Sequence, residues 1–401
     1  MFSFHWAETV KTIKYYEFSV RDPQNFFIGG PMATLMADEI QKETGFYPVK
    51  GLLNEKGKLK LSGDHKVDSM TPDYSILDGI DYKYPASNAY FAYMTRGCVR
   101  KCPFCAVPKI EPFYVEYIPL RKQIQRINEQ YGEKKDLLLL DNNVLASPKF
   151  DQIIDEIKET GFHKGAKLNK SLRNVDFNQG IDLRLLTKAK MKRLAELSIY
   201  PLRIAFDYIA LKDKYIEKIE WAAEHGFRRL SNYILYNYKD TPEEFYERLR
   251  INVELNERLG TQIYSFPMKY IPVTSKDRSF VGKHWTPKYL RSIQCILQAT
   301  HGVVSPRREF FEAAFGKNQR EFKELLIMPA NYIIYREDHK NNGTARWKDL
   351  LSSLTPNQQK DFLRIVKENR FDDTISSKFS RVNALLEHYN KSRSNPLVNS
   401  C

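Results

Sequence analysis

The sequence predicts an α/β protein in which parallel strands form an open or barrel-like sheet, and three observations support this prediction. From about residue 88, short apolar segments alternate with amphipathic segments, as expected for parallel strands joined by right-handed helical crossovers. Six such apolar segments follow one another, and several end in polar residues. Residues 285–401 lack this alternation and contain consecutive helical patterns, which predicts a mainly helical C-terminal extension.

The positions of the six strands follow from the apolar segments, and the segments between them repeat apolar residues at helical spacing. The predicted strands lie in AYFAYMT, DLLLLDNN, NVDFNQGIDLRLL, PLRIAFD, LSNYILYNYKD and QIYSFPMKYIP. A barrel-like sheet of this kind places its chemistry at the carboxyl ends of the strands. The polar groups at those ends are therefore the candidate site.

The N-terminal region has a different pattern. Residues 25–45, NFFIGGPMATLMADEIQKETG, predict a strand, a Gly-Gly turn and an amphipathic helix that ends at Gly45. Residues 53–68 predict a hairpin. We therefore expect a small N-terminal α/β unit with a linker over residues 1–87, the strand–helix series over 88–284 and the helical extension over 285–401.

The composition narrows the class of protein. The net charge is +14, and residues 261–320 contain ten Lys and Arg against three Asp and Glu. This favours an anionic partner such as nucleic acid, a phosphorylated metabolite or an acidic lipid headgroup, although a solvated surface has the same composition. No stretch approaches the ~20 apolar residues of a membrane span, and the N-terminus has no signal-peptide pattern. Five cysteines are too few for a disulfide scaffold, so we expect a cytoplasmic protein.

Cys98, Cys102 and Cys105 lie within eight residues in the spacing C-x3-C-x2-C. A structural zinc site or a ferredoxin-type 4Fe–4S cluster normally takes four protein ligands, and neither Cys295, Cys401 nor any histidine is near in the sequence. Three thiolates on an iron–sulfur cluster leave one iron open, as a catalytic cluster requires. This interpretation is favoured over zinc and over a chance grouping. Cys295, in an apolar helical pattern, is expected to be a buried structural thiol.

The segment RGCVRKCPFC resembles the signature of the radical S-adenosylmethionine (radical SAM) enzymes, including Phe104 before the third cysteine. The resemblance covers about residues 88–275 and implies a partial (β/α)6 TIM-like barrel. It also implies that Cys98, Cys102 and Cys105 hold a 4Fe–4S cluster whose fourth iron binds S-adenosylmethionine (SAM). Reduction of the cluster by a donor such as flavodoxin or ferredoxin then cleaves SAM to methionine and a 5′-deoxyadenosyl radical, which abstracts hydrogen from the substrate. Methylation, sulfur insertion, rearrangement and oxidation stay open as outcomes.

The resemblance also implies a set of SAM-binding residues. After the second strand the family usually has a Gly-Gly-Glu type motif for the amino group of SAM, and this chain has three polar residues there instead. The third and fourth strands supply candidates for the ribose hydroxyls, the SAM carboxylate or the substrate. Capping or loop roles are the alternative for each of them. The implied cofactor-binding residues are Phe104, Asp141, Asn142, Asn143, Gln179, Asp182, Arg184 and Asp207.

The segment FFIGGPMATLM resembles the later part of the cobalamin-binding domain that precedes the barrel in one radical SAM subgroup. The earlier half of that domain, with its D-x-H-x-x-G cobalt-ligand loop, is missing, and His5 has none of that motif around it. We therefore expect a truncated domain that binds no cobalamin.

Residues 266–292 are basic and rich in aromatic residues, prolines and a glycine, which predicts a loop over the carboxyl-end opening. In this interpretation an anionic substrate is bound by Lys269, Lys276, Arg278 and Lys283. The alternative is a non-catalytic nucleic-acid-binding protein with a structural metal site, in which aromatic residues stack on bases. The aromatic candidates are Tyr264, Phe266, Tyr270, Phe280 and Trp285.

Overall fold

The computed structural model describes residues 6–59, 66–339, 343–372 and 374–390. It contains two compact units, one formed by residues 1–205, 214–231 and 271–280 and the other by 206–213, 232–270 and 281–401. Both contain strands and helices, so the chain is a mixed α/β protein. The three predicted regions stay predictions. The centre of the predicted hairpin, His5 and Cys401 lie outside the described residues. None of the described helices is long and apolar enough to cross a membrane.

The strands of the first unit are mainly parallel. They are β1 (Ala89–Ala92), β2 (Asp136–Leu139), β3 (Lys167–Leu168), β4 (Ser171–Leu172), β5 (Val175–Phe177), β6 (Leu202–Arg203) and the start of β7 (Arg229–Tyr236). Strands β1, β2 and β5 pair in parallel in that order, with Ala89 opposite Asp136. Strand β6 pairs in parallel with the start of β7. These strands lie within the predicted segments, whereas the antiparallel β3–β4 pair was not predicted.

Helices lie between the parallel strands, and most of them bury apolar residues. The helices before β7 are α1 (Trp6–Glu17), α2 (Pro31–Leu35), α3 (Ala37–Thr44), α4 (Val107–Ile110), α5 (Leu120–Tyr131), α6 (Phe150–Ile157), α7 (Lys188–Leu194) and α8 (Lys212–Glu224). Helix α5, between β1 and β2, buries Leu120, Ile124 and Ile127, which share one helical face. Because a crossover of this length returns the chain in the same direction, β1 and β2 end at the same edge of the sheet.

The N-terminal strand prediction is wrong. Residues 26–29 form no strand among the described residues, and the chain there enters α2 and α3 instead. The Ile28 carbonyl accepts a hydrogen bond from Val49 N at 2.8 Å, but this single bond is not part of a ladder. A strand needs a paired neighbour to satisfy its backbone groups, so an apolar segment without one stays irregular. Helix α3 ends at Gly45, which is left-handed at φ 80°, as predicted.

The second unit is mainly helical. Besides the end of β7 it contains β8 (Gln262–Lys269), α9 (Pro242–Leu259), α10 (Pro287–Ala299), α11 (Arg308–Phe315), α12 (Gln319–Ile327), α13 (Ala330–Ile334), α14 (Arg336–His339), α15 (Ala345–Ser352), α16 (Pro356–Val366) and α17 (Ser380–Asn390). Its core is aromatic, with Phe245, Phe315 and Trp347 fully buried. Cys295 is also fully buried, on α10, as predicted from its apolar helical pattern.

Candidate functional site

The three cysteines lie in a loop that follows β1 in the first unit, which we call the cysteine loop (residues 93–111). Cys98, Cys102 and Cys105 form no disulfide among the described residues and are partly exposed. A backbone hydrogen bond from Cys105 N to Cys102 O, 3.0 Å long, closes a turn between the second and third cysteines. In the part of the chain that the structure describes, no three Cys, His, Asp or Glu side chains form a metal-binding group.

Asp141, just after β2, fixes the start of the cysteine loop. Its carboxylate accepts hydrogen bonds from Met94 N at 3.1 Å and Thr95 Oγ1 at 2.6 Å, and a further one from Thr95 N. The side chain is 1% exposed, and this burial raises the pKa of Asp141 to about 6 in spite of the hydrogen bonds. The structure therefore shows Asp141 binding the protein backbone, and its assignment to SAM stays a prediction.

Glu111 is a residue of this region that sequence reasoning missed. It is buried and accepts hydrogen bonds from Gly97 N at 2.6 Å, Arg96 Nη2 at 2.8 Å and Asn142 Nδ2 at 3.0 Å. Gly97 has φ 71°, and a Cβ there would collide with the Phe113 carbonyl, so this tight turn requires glycine. Glu111 thus connects the turn before Cys98 to the end of β2. An acid six residues after a cysteine is a weak sequence signal, because most acidic residues are exposed.

Asn143 lies against the first cysteine. Its Nδ2 is 3.4 Å from Cys98 Sγ and 3.5 Å from Asp182 Oδ2, and its backbone carbonyl accepts a hydrogen bond from Tyr114 OH at 3.0 Å. The residue is 2% exposed, yet its side-chain Oδ1 has no hydrogen-bond partner. Because buried polar atoms are nearly always paired, this oxygen is suited to accept a hydrogen bond from a bound ligand.

Asp182 joins two arginines beside the cysteines. Its carboxylate accepts hydrogen bonds from Arg184 Nε at 2.6 Å, Arg184 Nη2 at 3.1 Å and Arg100 Nε at 3.1 Å. Burial favours a higher pKa for Asp182, but the hydrogen bonds and charges of the two arginines outweigh it and hold that pKa below its usual range. The pKa of Arg184 is raised, chiefly by its hydrogen bond to Asp182 and also by one to Cys102.

The other predicted cofactor residues are Gln179, Phe104 and Asp207. Gln179 is exposed and donates to Asn178 Oδ1 at 3.3 Å, and Phe104 is partly buried in the cysteine loop. Asp207 belongs to the second unit, where its backbone carbonyl accepts a hydrogen bond from Arg248 Nη1 at 2.9 Å. The structure therefore brings together the cysteine loop, the end of β2 and the segment after β5, as the carboxyl-end argument predicted.

The predicted basic loop is divided between the two units. Lys276 and Arg278 belong to the first unit and are exposed, and the Lys276 ammonium lies 4.5 Å from the centre of the Trp6 ring. Lys269, at the end of β8, and the exposed Lys283 belong to the second unit. The assignment of these four residues to an anionic substrate stays a prediction.

Trp285 is not available for stacking on a base. It is 4% exposed and packs in the core of the second unit, with its ring 5.4 Å from that of Tyr236 and 6.0 Å from that of Phe245. Its Nε1 donates to the Asp240 carbonyl at 3.0 Å. This removes one of the aromatic residues on which the nucleic-acid-binding alternative depended.

No family model matches the chain. Three curated relatives, all NADPH-dependent 7-cyano-7-deazaguanine reductases, match a short segment. The reductase of Thermoanaerobacter pseudethanolicus is 30% identical over 101 residues, covering 22% of this chain and 76% of the reductase. That of Caldicellulosiruptor bescii is 26% identical over 119 residues, covering 27% of this chain and 87% of the reductase. The matched segment, about a fifth of the chain, belongs to the family of these reductases, and the rest of the chain lies outside the match.

Two solved structures of Streptococcus suis SuiB are also similar, one bound to the precursor peptide SuiA and one bound to S-adenosylmethionine. Their sequence identities are 15% and 14%, and their TM-scores are 0.36 and 0.32. Each match covers 53% of this chain, and the chain spans less than half the length of these structures, 46% and 44%. Scores this low carry no argument about function.

Proposed function

We propose that the chain is a radical SAM enzyme that acts on an anionic substrate. The observation that carries this proposal is the C-x3-C-x2-C loop directly after the first strand of a parallel sheet, with three partly exposed thiols. The donor set fits a 4Fe–4S cluster in its chemistry, since iron–sulfur clusters are bound by thiolates. The unpartnered Asn143 Oδ1 beside Cys98 fits a ligand that carries N–H groups. When bound, the cluster and SAM would supply a 5′-deoxyadenosyl radical that abstracts hydrogen.

The chain's own residues would hold and orient these groups. Asp141 and Glu111 fix the two ends of the tight turn that precedes Cys98. Asn143 Oδ1 would accept a hydrogen bond from the amino group of SAM, and Asp182 would hold arginine side chains near the cysteines. The six predicted strands form the partial (β/α)6 barrel in this proposal, and a protein such as flavodoxin or ferredoxin delivers the electron.

The proposal is tested by reconstituting the full chain anaerobically with iron and sulfide, reducing it with dithionite and adding SAM. We expect release of 5′-deoxyadenosine, and we expect Cys98→Ala, Cys102→Ala and Cys105→Ala each to abolish it together with the brown cluster absorbance. The matched control is Cys295→Ser, because that thiol is buried in the core of the other unit. A Cys102→Ala protein that keeps both colour and turnover would overturn the proposal.

The sequence match to reductases favours a second candidate, the NADPH-dependent reduction of a nitrile-bearing nucleobase by the matched segment. This candidate predicts oxidation of NADPH when 7-cyano-7-deazaguanine is added, without iron, sulfide or SAM. We rank it second because the match covers only about a fifth of the chain. NADPH oxidation that survives in the three cysteine variants, without any SAM cleavage in the wild type, would reverse this order.

We also propose that the chain binds no cobalamin, because residues 26–29 do not form the strand that the resemblance to a cobalamin-binding domain implied. The test is reconstitution with hydroxocobalamin followed by gel filtration. We expect the cobalamin spectrum to stay with the small molecules, and stoichiometric retention by the protein would contradict the proposal.

A further inference from the structure

Asp182 is the centre of a cluster of charges beside the cysteines. Its side chain is 9% exposed, whereas those of its two partners, Arg100 and Arg184, are 36% and 30% exposed. Arg184 approaches with two guanidinium nitrogens, one on each carboxylate oxygen, so its plane is fixed relative to the carboxylate. Arg100 reaches the same carboxylate from a position 82 residues earlier in the chain. Asp182 therefore determines where both guanidinium groups lie.

Two N–H donors near Asp182 are directed at the sulfur of Cys98. The backbone N–H of Arg100 donates to Cys98 Sγ at 3.3 Å, and Asn143 Nδ2 lies 3.4 Å from the same sulfur. The same Nδ2 lies 3.5 Å from Asp182 Oδ2, so the carboxylate that binds both arginines is close to Cys98. Two cations are thus held near this cysteine.

We propose that Asp182 is a positioning residue that holds Arg184 and Arg100 at the cysteines and thereby raises the reduction potential of a cluster bound there. This inference rests on the proposed function. One electron from an external reductant adds one negative charge to the cluster. Hydrogen bonds to its sulfurs and nearby positive charge stabilise that charge, so they favour the reduced state.

The direction of the shift distinguishes positioning from a direct effect of the Asp182 charge. Removing a nearby negative charge by itself favours uptake of an electron, so Asp182→Asn would raise the potential if only that charge mattered. If Asp182 acts by holding the arginines, the same substitution releases them, and the loss of their positive charge beside the cysteines lowers the potential. The two explanations therefore predict opposite signs.

The experiment is an anaerobic redox titration of the reconstituted full chain with dithionite, followed by the EPR signal of the reduced cluster. For Asp182→Asn and for Arg184→Gln, we expect the ratio of reduced to oxidised cluster at a fixed potential to fall about tenfold, a shift of about 59 mV for one electron. Asp182→Glu, which keeps the carboxylate, should stay closer to the wild type than Asp182→Asn does. The matched control is Lys101→Gln, which removes a charge from an exposed position of the same loop and should change the ratio much less.

An unchanged or higher potential in Asp182→Asn overturns the positioning role while leaving the proposed function intact, provided that iron and sulfide contents equal those of the wild type. If Asp182→Asn takes up no cluster, Arg184→Gln still tests the inference. A reduction potential of Arg184→Gln equal to that of the wild type contradicts the inference. A wild-type chain that takes up no iron–sulfur cluster overturns the proposed function and this inference together.

Discussion

The buried Arg248 of the second unit and the cysteine loop of the first show how differently polar groups are satisfied in one chain. Arg248 is 0% exposed, and its five N–H groups match five acceptors. The guanidinium donates to Phe206 O at 3.0 Å, Asp207 O at 2.9 Å, Leu235 O at 2.8 Å, Asp240 Oδ2 at 2.8 Å and Glu244 O at 3.3 Å. At the cysteine loop, by contrast, Asn143 Oδ1 is buried without a partner and the thiols are partly exposed.

This difference separates a structural network from a candidate site. A network whose donors are all used has no capacity to bind a ligand, and its residues can only stabilise the fold. A site with an unpaired buried acceptor carries a cost that a ligand removes. The pKa values of the two aspartates differ in direction. At Asp240, burial raises the pKa although the charge of Arg248 opposes it. At Asp182, burial also favours a higher pKa, but the arginines outweigh it and lower the pKa.

The largest effect on stability is expected from Arg248→Met. The substitution leaves Asp240 buried without its cation and removes the donors to four carbonyls, so unfolding by urea should show a loss of about 3–5 kcal/mol. The matched control is Arg250→Met on the same helix, whose side chain is 40% exposed and paired with Glu247 and Glu254. That variant should lose at most about 1 kcal/mol. Equal losses in the two variants would contradict the contrast.

The next effect is expected from Asp141→Asn, with a loss of roughly 1–3 kcal/mol because an amide group replaces one of the two carboxylate oxygens that accept hydrogen bonds from buried backbone N–H groups. The loss should depend on pH. The folded pKa of about 6 lies above the ordinary value of 3.8 for an aspartate, so the folded wild type binds more protons than the unfolded chain between these two pH values. Its stability from this group therefore falls as the pH rises through that window.

The difference in unfolding free energy between wild type and Asp141→Asn should thus be larger at about pH 4 than at about pH 7, with the change between pH 4 and 6. Urea titrations at several pH values measure it. A difference that is flat across this range would show that Asp141 is not buried in the ionisable state described.

A similar or smaller loss of stability, about 1–2 kcal/mol, is expected from Glu111→Gln. The amide can still accept the hydrogen bond from Gly97 N, but it lacks the negative charge that pairs with Arg96. The matched control is Glu116→Gln, an exposed acid of the same segment, which should be neutral. The thermal unfolding midpoints of both variants measure this difference. A Glu111→Gln protein as stable as the wild type would contradict the role of Glu111 in fixing the cysteine loop.

The smallest effect is expected when Lys276, Arg278 and Lys283 are replaced together by Gln. If these residues bind an anionic substrate, SAM cleavage without substrate should stay near the wild-type rate, while turnover of the substrate weakens and the salt dependence of its KM falls. An equal charge change elsewhere, in Lys348, Lys360 and Arg370, is the control, because these residues are exposed in the helical region. If the two triple variants show the same substrate turnover and the same salt dependence of KM, the basic segment does not bind the substrate.

The parallel strands were predictable from the sequence because each is a compact apolar run between helical patterns, as DLLLL at β2 shows. The N-terminal segment FFI has the same local pattern, but the absence of a paired strand among the described residues leaves it irregular. Pairing is a tertiary property, and a single apolar segment does not reveal it.

The candidate site was predictable in position but not in its contacts. The carboxyl-end rule placed the cysteine loop, Asn143 and Asp182 at one edge of the sheet. The hydrogen bond from Arg100 to Asp182 joins residues that are 82 positions apart. The hydrogen bond from Gly97 N to Glu111 joins residues that are 14 positions apart and depends on a glycine turn. Such contacts depend on how loops fold back, which no local pattern encodes. Trp285 was expected on a surface, yet it fills the aromatic core beside Tyr236.

The central claim is that the cysteine loop holds a cluster with one iron open to SAM. The most direct measurement is iron and sulfide analysis of the reconstituted chain together with the EPR spectrum of the dithionite-reduced protein, before and after addition of SAM. The account predicts about four irons and four sulfides per chain, lost in Cys102→Ala and kept in Cys295→Ser, and a spectrum that changes when SAM is added. A colourless protein that binds zinc, or a cluster whose spectrum is the same with and without SAM, would contradict it.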